Sequence, residues 1–145
     1  MKTWIKTLVI LAAIGMVTAT MLFVFVINKS HPDYETKKAD YSLSAIDIFN
    51  DYSEDIQNAS KKYNGKIIEI ESTLTEIESS DGQIIACFVL KEGVFGPEGV
   101  RIRMLENQKN ILKDIAIGEK VTLKGYVTGY NETDVILEHG SIVVQ

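Results

Sequence analysis

The sequence predicts a mainly β domain with some α: five strands with a helix between the third and fourth, one amphipathic helix before them, and a transmembrane helix at the amino terminus. Three observations carry this. Thr7 to Ile27 is a run of 21 residues without a charge. Ser44 to Tyr63 places its apolar residues three and four apart. From Lys66 onward the apolar period falls to two, the period of a half-buried strand.

Residues 1–6 form a basic stub containing Lys2 and Lys6. Residues 7–27, TLVILAAIGMVTATMLFVFVI, reach roughly 31 Å as a helix, against about 30 Å for the hydrocarbon core of a bilayer. A cleavable signal peptide competes with this reading, with Val17-Thr18-Ala19 as the small-residue site. The apolar run continues past that site through Met21–Ile27, which favours an uncleaved anchor, and no cysteine precedes Cys87 to serve lipoprotein-type processing. Lysines flank the span on both sides (Lys2 and Lys6 before, Lys29, Lys37 and Lys38 after), so counting them does not set orientation. The short stub favours a cytoplasmic amino terminus and an extracytoplasmic domain. Residues 28–41, NKSHPDYETKKADY, are polar and aperiodic and read as a tether.

The folded domain is expected over residues 42–145. Ser44 is a good N-cap, with Asp47 placed to reach back toward it. Ile46, Phe49, Tyr52, Ile56, Ala59 and Tyr63 form one stripe of a helix of about five turns, stopped by Asn64-Gly65. An isolated helix of this length is marginal in water, so Phe49, Ile56 and Tyr63 are expected to dock on the strands.

Lys66 to Ile77 follows as a strand, with Ile68, Ile70 and Leu74 on one face and Glu69, Glu71, Thr73 and Thr75 on the other. Ser79-Ser80-Asp81-Gly82 is hairpin-turn chemistry leading into an apolar strand from Ile84 to Leu90. In the third strand Val100, Ile102 and Met104 alternate with Arg101 and Arg103. Leu105 to Ile115 is helix-compatible, Val121 to Tyr130 is the fourth strand, Asp134 to Leu137 the fifth, and Ser141 to Val144 a short extended tail.

Strands in the order β-β-β-α-β-β make the element order of an OB-fold, a small partly open barrel, and Gly125 and Gly129 suit its tight bends. A helix packed on an open antiparallel sheet is the alternative.

The segments Lys62-Tyr63-Asn64-Gly65-Lys66-Ile67-Ile68-Glu69-Ile70 and Ile117-Gly118-Glu119-Lys120-Val121-Thr122-Leu123-Lys124-Gly125-Tyr126-Val127-Thr128-Gly129-Tyr130 resemble the tRNA-anticodon-binding-like OB-fold family, over roughly residues 40 to 144. The resemblance implies a small bacterial protein with an amino-terminal anchor or lipid attachment. It specifies a fold rather than an activity, and the family name does not establish tRNA binding. It also implies a cysteine just before the last strand; Leu137-Glu138-His139-Gly140-Ser141-Ile142 has none.

The chain carries 15 Lys and Arg against 20 Asp and Glu. Three of the basic residues lie at or before Lys29, leaving 12 against 20, a net −8, on the part beyond it. That balance opposes the counterion-release binding on which nucleic-acid affinity rests. One cysteine cannot form an internal disulfide. Cys87 reads as a buried thiol, and His31 and His139 as surface histidines without a partner at ligand spacing, so neither metal nor cofactor is expected. Glu69/Glu71 and Glu76/Glu78 read as solvated strand carboxylates, and no catalytic residues are expected.

With Val121, Leu123 and Val127 facing the core, Lys124, Tyr126, Thr128 and Tyr130 point outward, as do Arg101 and Arg103. Arg101, Arg103, Lys124, Tyr126 and Tyr130 are therefore the candidate ligand-binding residues, on the kind of strand face that OB-folds use. Phe95, in a glycine-rich loop, is expected to tuck back as a lid, with a partner contact as the other reading. The expected partners are the membrane, through residues 7–27, and a protein or polar ligand. A single-strand nucleic acid is the less favoured alternative and an enzyme the least.

Overall fold

The computed structural model describes residues 2–27 and 33–144. His31 and the first part of the expected tether lie outside the described residues. The chain divides into two units, residues 1–33 and 34–145.

The first unit is one helix, α1 (Thr3–Ile27), and its stretch Thr3–Phe23 is long and apolar enough to cross a membrane. Its threonines bond back to the helix: Thr18 Oγ1 donates to Ile14 O at 3.0 Å and Thr20 Oγ1 to Met16 O at 2.7 Å. Hydroxyls satisfied in this way make no demand on the surrounding medium.

The second unit runs β1 (Tyr41–Ser44), α2 (Ala45–Glu54), α3 (Ile56–Tyr63), β2 (Ile67–Thr73), β3 (Glu76–Ser80), β4 (Gln83–Gly93), β5 (Gly96–Met104), a 3₁₀ turn (Glu106–Gln108), α4 (Lys109–Lys113), β6 (Lys120–Tyr130) and β7 (Asp134–Ile142). The strands form one sheet in the order β1-β2-β6-β7-β5-β4-β3. Pairing is parallel for β1·β2 and β5·β7 and antiparallel elsewhere. Strand count and closure therefore differ from the expected five-stranded barrel.

Two differences account for the extra strands. The first expected strand breaks at Leu74-Thr75, where the chain changes partner. Leu74 N still bonds Glu119 O (2.9 Å), whereas Thr75 N bonds Cys87 O (3.1 Å) on β4. Because only two residues join β2 to β3, the sheet must curl. The other addition is β1, which straddles the expected boundary between tether and domain at Tyr41 and aligns with Ile68–Glu71 of β2. Residues 34–40 are also held to the strands: Asp40 N donates to Ile67 O at 2.7 Å and Asp40 Oδ2 accepts from Ile67 N at 2.9 Å, and the contacts of residues 34–37 are described below. The expected tail is not separate, since Ser141 and Ile142 belong to β7.

The N-cap is as expected: Asp47 N donates to Ser44 Oγ at 3.2 Å, and Ser44 Oγ to Asp47 Oδ2 at 2.6 Å. The single five-turn helix is not. Asp55 (φ −149°, ψ 89°) breaks it and caps α3 through Asn58 N. The break changes which residues are buried. Ala45, Ile48, Phe49, Tyr52, Ala59 and Tyr63 are buried, while Ile46 and Ile56 from the expected stripe stay 45% and 46% exposed.

Phe49, Tyr52 and Tyr63 join Ile68, Ile70, Phe88, Val100, Ile102, Leu123, Val127 and Leu137 in one core. Tyr52 stacks on Tyr130 at 5.6 Å between ring centroids, and Phe49 meets Tyr130 edge-on at 6.3 Å. The polar ends of these rings are satisfied. Tyr52 Oη donates to Asn64 Oδ1 and Tyr63 Oη to Asp51 Oδ2, both at 2.5 Å. Burial first, then the neighbouring Tyr63, pushes the Tyr52 hydroxyl up to about 12. The Tyr63 hydrogen bond is the largest influence on Asp51 and holds its carboxyl below the usual range.

Gly125 lets β6 approach β7, because a Cβ there would lie 3.0 Å from Leu137 Cβ. Asp81 (φ 49°) and Gly82 (φ 73°) form the left-handed turn between β3 and β4. At the β4–β5 turn, Val94 and Phe95 are 93% and 91% exposed, so Phe95 is not a lid. Gly93 pairs with Gly96 across that turn, which carries Phe95 outward.

Candidate ligand-binding face

Alternation leaves an outer face opposite the core on β4, β5, β7 and β6. Arg101 and Arg103 come from β5, Ile136 and Glu138 from β7, and Lys124, Tyr126 and Thr128 from β6. The ladders bring them together: Arg101 aligns with Ile136, and Glu138 with Tyr126.

Tyr130 is not among them. Val127 pairs with Leu137 but Gly129 pairs with Ile136, so one extra residue at Thr128 forms a bulge, with Gly129 at φ 151°. The bulge reverses the phase of the strand and turns Tyr130 onto the core, against Tyr52. Of the five candidate residues, the structure gathers four on the outer face and sends the fifth inward.

The arginines are held by carboxylates. Arg101 Nη1 donates to Glu78 Oε1 at 2.6 Å, and Arg101 Nε lies 3.0 Å from Asp134 Oδ2. Arg103 Nη1 donates to Glu138 Oε1 at 2.9 Å. Arg101 also covers Cys87, with Nη1 3.9 Å from Sγ. Cys87 is 1% exposed, but it is buried on the outer side of β4 beneath a guanidinium, not in the core. Burial, followed by the charge of Glu78, pushes its thiol up to about 12, which keeps it protonated and poorly nucleophilic near neutral pH.

The β6 half of the face is covered by the segment after Asp33. Lys124 is only 8% exposed, and its Nζ donates to Glu35 O (2.5 Å) and Lys37 O (2.8 Å). Tyr34 stacks on His139 at 4.2 Å with the rings 1° from parallel, and meets Tyr126 edge-on at 5.7 Å. Glu35 Oε1 accepts from Asn107 Nδ2 and Gln108 Nε2, each at 2.7 Å.

His139 takes φ 55°, where the β7 register slips against both neighbours: Ile102 pairs with Leu137 but Met104 with Gly140, and Tyr126 with Glu138 but Lys124 with Ser141. Sequence reasoning missed Tyr34, Glu35, Gln108 and the placement of His139. The one local signal was His139-Gly140 inside a strand pattern, a pair suited to a bulge. Among the described residues no group of three or more His, Cys, Asp or Glu side chains could hold a metal.

The domain's fold is shared with a candidate nucleic acid-binding lipoprotein from Klebsiella pneumoniae subsp. pneumoniae, at TM-score 0.55 and 14% identity over 71% of this chain and 91% of that one. The yeast Stn1 and Ten1 structure overlaps at TM-score 0.37 and 11% identity, covering 78% of this chain and 66% of that one. No curated protein sequence matches. The profile of one family matches residues 1–142, and the chain belongs to that family, tRNA_anti-like.

Proposed function

We propose that this protein is a membrane-anchored, extracytoplasmic binding module of the OB type, without catalysis, that engages a protein or polar ligand through its outer strand face. The OB reading is supported by the ladder itself. If β2 and β3 are two halves of one strand, that strand lies beside β6 at one end and β4 at the other, which are the neighbours the first strand of an OB-type barrel would have. An α1 long and apolar enough to span a bilayer supports the anchor, and the short basic stub before it is the reason for placing the amino terminus in the cytoplasm.

The observation that carries the ligand reading is the outer face, where Arg101, Arg103, Glu138 and Tyr126 lie side by side across three strands. The same observation weighs against nucleic acid. Each arginine is already paired with a carboxylate, so a phosphate would have to displace Glu78, Asp134 or Glu138 on a domain of net negative charge. A nucleic-acid reading draws on the described role of the Klebsiella lipoprotein, which shares the fold.

Two measurements test the proposal. Protease added to intact cells, and again after the outer layers are opened, should cleave the domain at one of these stages. Protection through both would place the domain in the cytoplasm and defeat the extracytoplasmic reading. Titration with single-stranded oligonucleotides should show no binding at physiological salt. Binding that weakens steeply with salt and disappears in Arg103→Glu would establish the nucleic-acid reading instead.

A further inference from the structure

The covering of Lys124 and Tyr126 by residues 34–37 has the form of a ligand in a site. Glu35 presents a carboxylate to two side-chain amides, Asn107 Nδ2 and Gln108 Nε2, at 2.7 Å each. Beside it a nearly buried ammonium, Lys124 Nζ, is satisfied by the carbonyls of Glu35 and Lys37. Tyr34 adds a ring that lies flat on His139 and edge-on to Tyr126.

We infer that Lys124, Tyr126, His139, Asn107 and Gln108 form a recognition site for a polypeptide segment carrying an aromatic side chain next to a carboxylate, and that Tyr34-Glu35 is its resident occupant in cis. This rests on reading the outer face as the binding face.

The chemistry of the five groups supports it. Asn107 and Gln108 offer N–H donors toward one carboxylate, a neutral pair that accepts an anion without needing a countercharge of its own. Lys124 reads main-chain carbonyls, which any peptide supplies. The aromatic slot depends on His139 holding a left-handed backbone conformation (φ 55°), a departure that non-glycine residues rarely adopt and that concentrates at ligand sites. A bulge is the device that re-aims a strand side chain in this way.

The occupant is also suited to leave. Residues 34–37 form a turn held by polar and ring contacts at the surface, with no side chain in the core, and such segments open at the low end of the local stability range. While the segment stays in place, its tethering gives it a high effective concentration against any partner.

The test uses the full chain in detergent micelles and a synthetic peptide of residues 33–40, DYETKKAD, titrated to millimolar concentration and followed by amide and His139 ring resonances. The double variant Tyr34→Ala/Glu35→Ala should bind the peptide saturably, and the wild-type chain about tenfold or more weaker, because its site is filled. A peptide with both residues replaced by alanine should not bind. Adding Gln108→Ala to the double variant should weaken binding.

A folded double variant that does not bind the peptide overturns the inference, as does equal binding by wild type and variant. If the double variant does not fold, hydrogen exchange on the wild-type chain decides. Amides of residues 34–37 should exchange far faster than those of β6, and protection equal to β6 would show a fixed structural element. Protease protection and oligonucleotide binding are read independently, so failure of this site leaves the proposed module intact, and failure of the module does not alter the peptide result.

Discussion

The two faces of the curled sheet are held by different physics. On the inner face, Phe49, Tyr52 and Tyr63 from α2 and α3 are sealed against β6 and the rest of the core, with exposures of 2% or less. On the outer face the same strands carry ion pairs, a buried lysine capped by carbonyls and a stacked histidine. Apolar burial is worth about 25 cal/mol per Å², whereas a surface ion pair contributes about 0–1 kcal/mol. The inner face therefore holds the domain together, and the outer face can be given over to recognition at little loss of stability.

The sharpest way to break this comparison is Phe49→Ala. It should destabilise the domain by about 3–5 kcal/mol in a denaturant titration, as truncation of a buried Phe does, while Ile56→Ala on the half-exposed side of α3 should change stability by less than about 0.5 kcal/mol. Equal effects would mean that α2 does not dock as described.

Arg101→Ala comes next. Arg101 sits between Glu78 and the nearly buried Asp134. Its loss should cost about 1–3 kcal/mol, below the 3–5 of a fully buried pair because Arg101 is partly solvated. It should also uncover Cys87, so alkylation by a maleimide should speed up well beyond the wild-type rate. A rate unchanged from wild type would show that strand packing alone shields the thiol.

Tyr52→Phe should cost about 0.5–1.5 kcal/mol at neutral pH, through loss of the bond to Asn64. Its pH behaviour is more telling. Folding raises the Tyr52 pKa from 10.0 to about 12, so the unfolded chain ionises first and stability, full below pH 10, falls as pH climbs toward 12. Tyr52→Phe should flatten this decline, leaving the smaller contribution of Tyr63, whose pKa is also raised, chiefly by burial. At the acid end, Asp51 has a lowered pKa, so its contribution is present above about pH 4 and lost as pH falls below the usual carboxylate range.

On the outer face the smallest effect is expected at Arg103. Its pairing with Glu138 is half exposed, and Arg103→Ala should shift stability by less than about 1 kcal/mol. That makes it a clean probe of binding.

What could be read from the sequence follows the same division between faces. The Ser44 cap, the Asp81-Gly82 turn and the alternation of Val100, Ile102 and Met104 with Arg101 and Arg103 are set by local chemistry, and they stand as read. The family resemblance was legible too, in the segments around Lys62–Ile70 and Ile117–Tyr130. Tyr130 was misplaced because one extra residue at Thr128 reverses the strand's phase, and a period-two count cannot see an insertion. Ile46 and Ile56 were misassigned to the buried stripe because Asp55 ends one helix and caps another, although its side chain three residues before Asn58 N was a readable cue. Tyr41–Ser44 was not read as a strand because its pairing partner, Ile68–Glu71, lies far along the chain. Glu35 and Lys124 are separated by 89 positions, and nothing local in either announces the other.

The measurement that bears most directly on the division of labour is site-specific photocrosslinking in intact cells. A photoreactive residue would be placed at Arg103 or Thr128 on the outer face, and at Ile46 or Lys61 on the helices. Discrete crosslinked species should form from Arg103 and Thr128 and be absent from Ile46 and Lys61. Crosslinks from the helix positions alone, or equally from both sets, would contradict the assignment of recognition to the outer face.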